Sequence, residues 1–234
     1  MYLLTLRQLS GRWRLLIMTA LASFPVIMAV LTLRDDDGPT VAEFEQVVFS
    51  AMLAGSILPL VVLAIAGAAF SNEIEDRTIA NLTLAPIPRW QIVVPKFLAT
   101  ISIAAPFIAV SAFLTTHVAF IGDTRATVAV VAASLVAVAM YASAFVWLGL
   151  VSTQAIGLGL LYIVLWEGLF SGFISGVRLL SIRHFSIGLM HGLDPRRFAN
   201  GSHLGFLPVI VICALVVTAF LWMSVRRLRR MDIP

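Results

Sequence analysis

The stretch ATVAVVAASLVAVAMYASAFVWLGLVSTQAIGLGLLYIVLWEGLFSGFISGV, residues 126–177, contains a single charged side chain, Glu167. A membrane-spanning helix needs about 20 apolar residues, because the hydrocarbon layer is about 30 Å thick and a helix rises about 1.5 Å per residue. The stretch is therefore long enough for two spans. The polar interruption Ser152-Thr153-Gln154 predicts a tight turn between them.

Four shorter charge-free windows accompany this stretch, and each has room for one span. The six predicted spans are 13–33, 49–70, 97–121, 127–150, 155–176 and 207–225. The composition agrees, since 60% of the 234 residues are hydrophobic and 12% are charged, against about 45–50% and 25% in soluble domains. We therefore predict an all-α polytopic membrane protein with one transmembrane domain over residues 1–234. The first apolar run extends to Leu33, which is longer than the roughly 7–15 residues of a signal peptide, so we expect it to be a retained span.

The distribution of Lys and Arg predicts the orientation. An even number of spans puts both termini on one side of the membrane. That side receives ten of the 16 Lys and Arg residues, and the opposite side receives six together with the acidic run Asp35-Asp36-Asp37. Basic loops stay in the cytoplasm. We therefore expect both termini to be cytoplasmic, in a multi-pass protein of the cell's inner (plasma) membrane.

Three segments outside the spans have a predicted structure. Residues 1–12 form a short amphipathic helix on the inner leaflet, in which Tyr2, Leu3, Leu6 and Leu9 share one face. The inner segment 71–96 is predicted to hold a short helix over 73–84, because its acidic start suits a helix N-terminus. The mostly apolar outer segment 177–206 precedes the last span and is predicted to be re-entrant.

Sequence motifs of catalysis are missing from the chain. It has no G-x-x-x-x-G-K-[ST] nucleotide loop, no H-E-x-x-H and no G-x-S-x-G. Cys213 is the only cysteine, and the histidine spacing does not match a metal site. We expect no catalytic residue, no metal site and no cofactor bound by this chain. The Arg residues flank apolar runs, so topology explains them and no nucleic acid partner is expected.

Glu167 is the candidate functional residue inside the spans. A carboxylate at membrane depth costs several kcal/mol unless it is paired, hydrated or protonated. Two alternatives stay open on the sequence. Glu167 lines a substrate path or a subunit interface, in which case Glu167→Gln would assemble normally and transport poorly. Otherwise it is a protonated, hydrogen-bonded structural residue, and Gln would be nearly neutral.

Residues 73–96 resemble a pattern of the membrane subunits of ATP-binding-cassette exporters of the type-2 permease class. That pattern is E-x-E-x-G-T, an apolar stretch, P-x-x-R, and G-K at the start of the third span. The matching residues here are Glu73, Glu75, Thr78, Pro86, Arg89 and Lys96. Arg77 and Pro95 replace the two glycines of the pattern.

The resemblance implies a function for the whole chain. It implies that the 73–84 helix and the N-terminal helix dock a separate ATPase subunit, which binds ATP and Mg²⁺, and that two permease copies pair around a central path in the lipid. The residues assigned to ATPase coupling are Glu73, Glu75, Asp76, Arg77, Thr78 and Arg89. A secondary transporter and a membrane scaffold without transport remain the alternatives. An ATPase that co-purifies with the chain would separate the first function from both others.

Overall fold

The computed structural model describes residues 2–32, 40–75, 88–170, 181–198 and 206–230, and all regular structure within them is helical. After a helical turn at Val41–Glu43, helices α3 to α5 follow almost without interruption. The helices are α1 (Tyr2–Leu9), α2 (Arg12–Thr32), α3 (Phe44–Ile57), α4 (Leu58–Ala66), α5 (Ala68–Glu75), α6 (Trp90–Ala119), α7 (Thr124–Val151), α8 (Ala155–Leu161), α9 (Tyr162–Phe170), α10 (Ile182–Leu193) and α11 (Phe206–Arg229).

Five stretches of helix in the described ranges are long and apolar enough to cross a membrane. They are Arg12–Thr32, Phe44–Phe70, Trp90–Ala119, Thr124–Val151 and Phe206–Arg229. These agree with five of the six predicted spans, and the predicted turn at 152–154 separates α7 from α8. The predicted span 155–176 corresponds to α8 and α9 as far as residue 170, and its last residues lie outside the described ranges. The count of six spans therefore stays a prediction.

Helix α7 lies at the centre of the bundle. It packs against α4, α6, α10 and α11, and its buried face consists largely of alanine and other small residues, which allow close approach between helices. The first and last spans, α2 and α11, lie at the periphery and keep broad apolar faces exposed. Apolar exposure of this extent suits contact with lipid.

The two ends of the bundle bring together the segments that were predicted to share a side. Towards one end α1 packs against the first half of α6, and the Tyr2 hydroxyl donates to Ser102 Oγ at 2.8 Å. At the other end the ring of Phe120 lies 4.9 Å from that of Phe44 and 6.2 Å from that of Phe198. Which end faces the cytoplasm stays a prediction.

Helical structure before the second span begins earlier than predicted, at residue 41 instead of 49. Thr40 and Glu43 start it as a reciprocal cap, since the Thr40 backbone N–H donates to Glu43 Oε2 at 2.8 Å and the Glu43 N–H donates to Thr40 Oγ1 at 3.3 Å. These Thr40 hydrogen bonds lower the pKa of Glu43. Phe44 and Val48 are buried, so packing favours helix where the charge pattern indicated a loop.

Two further details concern the helices at the α1 end of the bundle. The third span was predicted to begin at 97, but α6 begins at Trp90 and therefore includes Lys96 within the helix. Helix α1 packs against the bundle through Thr5 and Leu9, while Leu3, on the face predicted to lie on the leaflet, is 77% exposed.

Candidate functional site

The Glu167 carboxylate is fully buried and is surrounded by hydrogen-bond donors of this chain. Its Oε1 accepts from the Tyr141 hydroxyl at 3.0 Å and from the Tyr162 hydroxyl at 3.2 Å. The Ile182 backbone N–H donates to the same oxygen at 3.0 Å, and the Ser181 hydroxyl donates to Oε2 at 2.5 Å. A carboxylate is an acceptor of about four hydrogen bonds, so these donors satisfy it without water.

Two of the four donors belong to the N-terminus of α10. Ser181 is the N-cap residue of that helix, and its Oγ also accepts from the His184 backbone N–H at 3.2 Å. Ile182 is the first helical residue, and its N–H has no acceptor within its own helix. Glu167 supplies that acceptor at the positive end of the helix dipole. The carboxylate of α9 therefore anchors the start of α10.

Arg183 joins the same site to the second span. Its Nε and Nη2 donate to Ser50 Oγ at 3.1 and 2.7 Å, and its Nη1 donates to the Glu167 carbonyl oxygen at 3.5 Å. The guanidinium passes beside Gly55, where an added Cβ would lie 3.2 Å from Nη1 and 2.9 Å from the Ser50 carbonyl oxygen. A larger residue at Gly55 would therefore displace Arg183 or the backbone of α3.

Both helices that flank Arg183 are wound with i→i+5 hydrogen bonds. In α3 this winding is visible in the bond from the Leu58 N–H to the Leu53 carbonyl oxygen, and α9 has the same class of winding. Such π-helical winding is rare and is frequently found at functional sites. The polar site thus lies where two unusually wound helices, α7 and the start of α10 meet.

A second charged site lies at the other end of the bundle. Lys96 is 4% exposed and forms an ion pair with Glu73, with Nζ 2.6 Å from Oε2. Its Nζ also donates to the Ala69 carbonyl oxygen and lies 3.9 Å from the centre of the Phe70 ring. An ammonium tolerates such burial when a carboxylate, a carbonyl and an aromatic face replace its water. The pair joins the end of α5 to the second turn of α6.

The end of the bundle opposite Lys96 carries further ion pairs. His191 of α10 contacts the Glu45 carboxylate of α3, and Arg197 lies 3.6 Å from Asp123. In the described part of the chain no group of three or more His, Cys, Asp and Glu side chains is arranged to hold a metal ion. These pairs hold α10 and its flanks against the bundle.

The sequence comparisons place this architecture in a family. A profile described as ABC-2 family transporter protein matches residues 6–187, which is well over half of the chain. The chain belongs to the ABC-2 transporter family. No curated protein matched it in a sequence comparison. This ABC-2 protein is therefore a multi-pass membrane component of a transport system, as the resemblance of residues 73–96 indicated.

The residues assigned to ATPase coupling in the ABC-2 protein are described only in part. Glu73 and Glu75 lie in the last turn of α5, a helix that begins at Ala68, so no new helix starts at residue 73. Arg89 is the residue before the first turn of α6 and is half-buried. Asp76, Arg77 and Thr78, and the remainder of the predicted 73–84 helix, lie outside the described residues. The coupling role of these residues stays a prediction.

Sequence analysis of the ABC-2 protein found Glu167 but missed the residues that hold it. Tyr141, Ser181 and Arg183 had no signal of their own, because each is 14 to 26 positions away from Glu167 in the chain. One pattern was available, since a serine before an apolar helical stretch is typical of an N-cap. The expected role of Glu167 in a substrate path or subunit interface stays a prediction, and in this conformation the carboxylate is enclosed by its own protomer.

Proposed function

We propose that this chain is the membrane subunit of an ATP-driven exporter, and that it works with a separate ATPase subunit and a second permease copy. ATP and Mg²⁺ bind to the ATPase subunit, and the permease pair forms the path. Membership of the ABC-2 family carries this proposal. Both termini and the segment after α5 face the cytoplasm, where an ATPase would be available for docking.

The Lys96–Glu73 ion pair supports a coupling route through the end of α5. The segment that follows α5 is the proposed docking site. Because Glu73 is bonded to Lys96, a displacement of that segment moves the end of the second span and the start of the third together. Helix α1 packs against both α5 and α6, so the N-terminal helix belongs to the same moving unit.

A charge-swap experiment tests this route. Glu73→Lys and Lys96→Glu each leave two like charges at a buried position, and each is expected to weaken ATPase stimulation. The double variant restores an ion pair with the charges reversed, but a carboxylate at position 96 would face the Ala69 carbonyl oxygen and the Phe70 ring. It should therefore recover part of the stimulation, and more than either single variant, if Glu73 acts through Lys96. The measurement is ATP hydrolysis by the co-purified ATPase in proteoliposomes, with a charge reversal at an exposed arginine of the opposite end of the bundle, Arg196→Glu, as the control.

The outcomes separate two roles of Glu73. If the swap restores folding but not ATPase stimulation, Glu73 contacts the ATPase directly and the internal route is wrong. If no ATPase co-purifies with the wild-type chain under any condition, the exporter proposal itself is wrong.

The orientation has its own test. Cysteines placed singly at Asp36 and at Arg196, in a Cys213→Ser background, should react with a membrane-impermeant maleimide added outside intact cells. A cysteine at Glu75 should react only after the membrane is permeabilised. Labelling of the Glu75 position from outside would reverse the proposed topology.

A further inference from the structure

An apolar pocket of 540 Å³ lies between α7, α8, α9, α10 and α11. Over residues 140–148 of α7 it extends for about 12 Å, at about 1.5 Å per residue. The lining residues are Met140, Ala144, Phe145, Trp147, Leu148, Leu158, Tyr162, Trp166, Ile182, Phe185, Ile212, Val216 and Phe220.

Ile182 and Phe185 of α10 line the pocket on the side of the Glu167 site. The rings of Trp147 and Phe220 also line it and lie 5.7 Å apart. The space is a half-open cleft between helices.

The pocket shares two walls with the Glu167 site. The Tyr162 ring lines the pocket while its hydroxyl donates to Glu167, and Ile182 lines the pocket while its backbone N–H donates to the same carboxylate oxygen. An occupant that packs against Tyr162 and Ile182 restricts their movement and so stabilises their hydrogen bonds to Glu167.

The chemistry of the lining selects an apolar occupant. A polar ligand would lose its hydration in this pocket and find almost no partners, because the Tyr162 hydroxyl is engaged by Glu167. The volume lies within the range of about 300–1,000 Å³ that is usual for small-ligand sites. Helices α7 and α11, which line the pocket, are among the candidate membrane spans, so the surrounding phase supplies hydrocarbon chains in large excess.

We propose that this pocket is a binding site for one acyl chain of a resident membrane phospholipid, which braces the Glu167 site. The chain lies along α7, with its hydrocarbon against Phe145, Tyr162 and Val216. Selectivity comes from shape and packing, because an acyl chain in the bilayer is already away from water. The proposal concerns this protomer alone and does not depend on the ATPase partner.

Photo-crosslinking tests occupancy. The purified full-length protein is placed in phosphatidylcholine nanodiscs that contain a phosphatidylcholine with a diazirine in one acyl chain. Adducts on the lining residues are quantified by mass spectrometry relative to adducts on the exposed face of α2, which contacts bulk lipid in every variant. Wild-type protein should give pocket adducts in excess over that reference.

Two pocket-filling variants and one matched control make the test specific. A tryptophan side chain buries about 150–250 Å². Ala144→Trp from α7 and Val216→Trp from α11 therefore each place a large ring in the pocket. Each should reduce the relative pocket adducts by about fivefold or more. The matched control is Leu215→Trp. Leu215 is next to Val216 in α11, but its side chain is 60% exposed, so this variant should leave the pocket adducts unchanged.

Thermal stability gives a second readout. A ligand that binds the folded state raises Tm as its concentration rises. Adding phosphatidylcholine to the detergent-solubilised protein should therefore raise the Tm of the wild type and of Leu215→Trp, and raise that of the two pocket-filling variants much less. The two variants act from different helices, so a folding failure in one leaves the other to decide.

Three results would overturn the proposal. One is an adduct ratio that is the same in wild type, Ala144→Trp and Val216→Trp. Another is an equal rise in Tm for all four proteins. The third result is measured on the complex with the ATPase subunit, and it is the only one of the three that rests on the proposed function. A loss of the pocket adducts on ATP addition would identify the chain as transported cargo and not as a resident lipid.

Discussion

Removal of the Glu167 carboxylate should strongly destabilise this protein. In Glu167→Ala, four donors lose their acceptor in a fully buried site. A buried donor without a partner costs about 1–3 kcal/mol, so the loss is about 4 kcal/mol even at the low end for all four. Native proteins have about 5–15 kcal/mol of stability in total.

Glu167→Gln should cost much less. The Gln carbonyl oxygen can accept from Tyr141, Tyr162 and Ile182 as the carboxylate oxygen does, and its amide can donate to Ser181 Oγ. What it loses is the charge that strengthens those bonds and meets the helix dipole of α10. It gains because a neutral amide is less costly to bury than a carboxylate. We expect a loss of about 0–2 kcal/mol, with assembly intact and transport reduced because α10 is held less firmly.

Fluorescence-detected size-exclusion chromatography after heating is the assay. For chains of this length 1 kcal/mol moves Tm by about 2–4 °C, so Glu167→Ala should lower it by about 8–16 °C and Glu167→Gln by about half of that or less. An Ala variant as stable as the wild type would refute the bracing role. A Gln variant with full stability and full transport would remove Glu167 from the candidate functional residues.

Three further predictions test other parts of the structure. A methyl group at Gly159 would overlap Leu63 of α4, so Gly159→Ala should cost about 1–3 kcal/mol, whereas Gly157→Ala, with open space around it, should be neutral or gain up to about 1 kcal/mol in thermal unfolding. Arg183→Lys keeps the charge but cannot bond one hydroxyl through two nitrogens, and a loss of about 1–3 kcal/mol in the same assay is expected, with no loss contradicting the contact. Glu43 has a pKa below its ordinary 4.5, so its cap is fully present above that pH and is lost as pH falls through the lowered value; hydrogen exchange at residues 41–44 should speed up there, and should be insensitive to pH in Glu43→Gln once the intrinsic exchange rate is corrected for.

The membrane class and most of the spans follow from the sequence alone. The cost of placing a residue in hydrocarbon is a local property, and it adds up along a window of about 20 residues. Charge-free windows therefore locate α2, α6, α7 and α11 to within a few residues, apart from the early start of α6. The motif around residues 73–96 indicated the family for a similar reason, because its residues are close together in the chain.

Only the tertiary structure decided which groups form hydrogen bonds and ion pairs with the buried side chains Glu167 and Lys96. Glu167 stood out because one charge in a long apolar stretch is costly, but whether that cost is met by water, a proton or donors depends on which helices surround it. Here Tyr141 comes from α7 and Ser181 from the start of α10, and Lys96 is compensated by Glu73 across two helix ends. Hydropathy is additive along the chain, whereas hydrogen bonds and ion pairs require a specific distance and direction between atoms that only packing brings together.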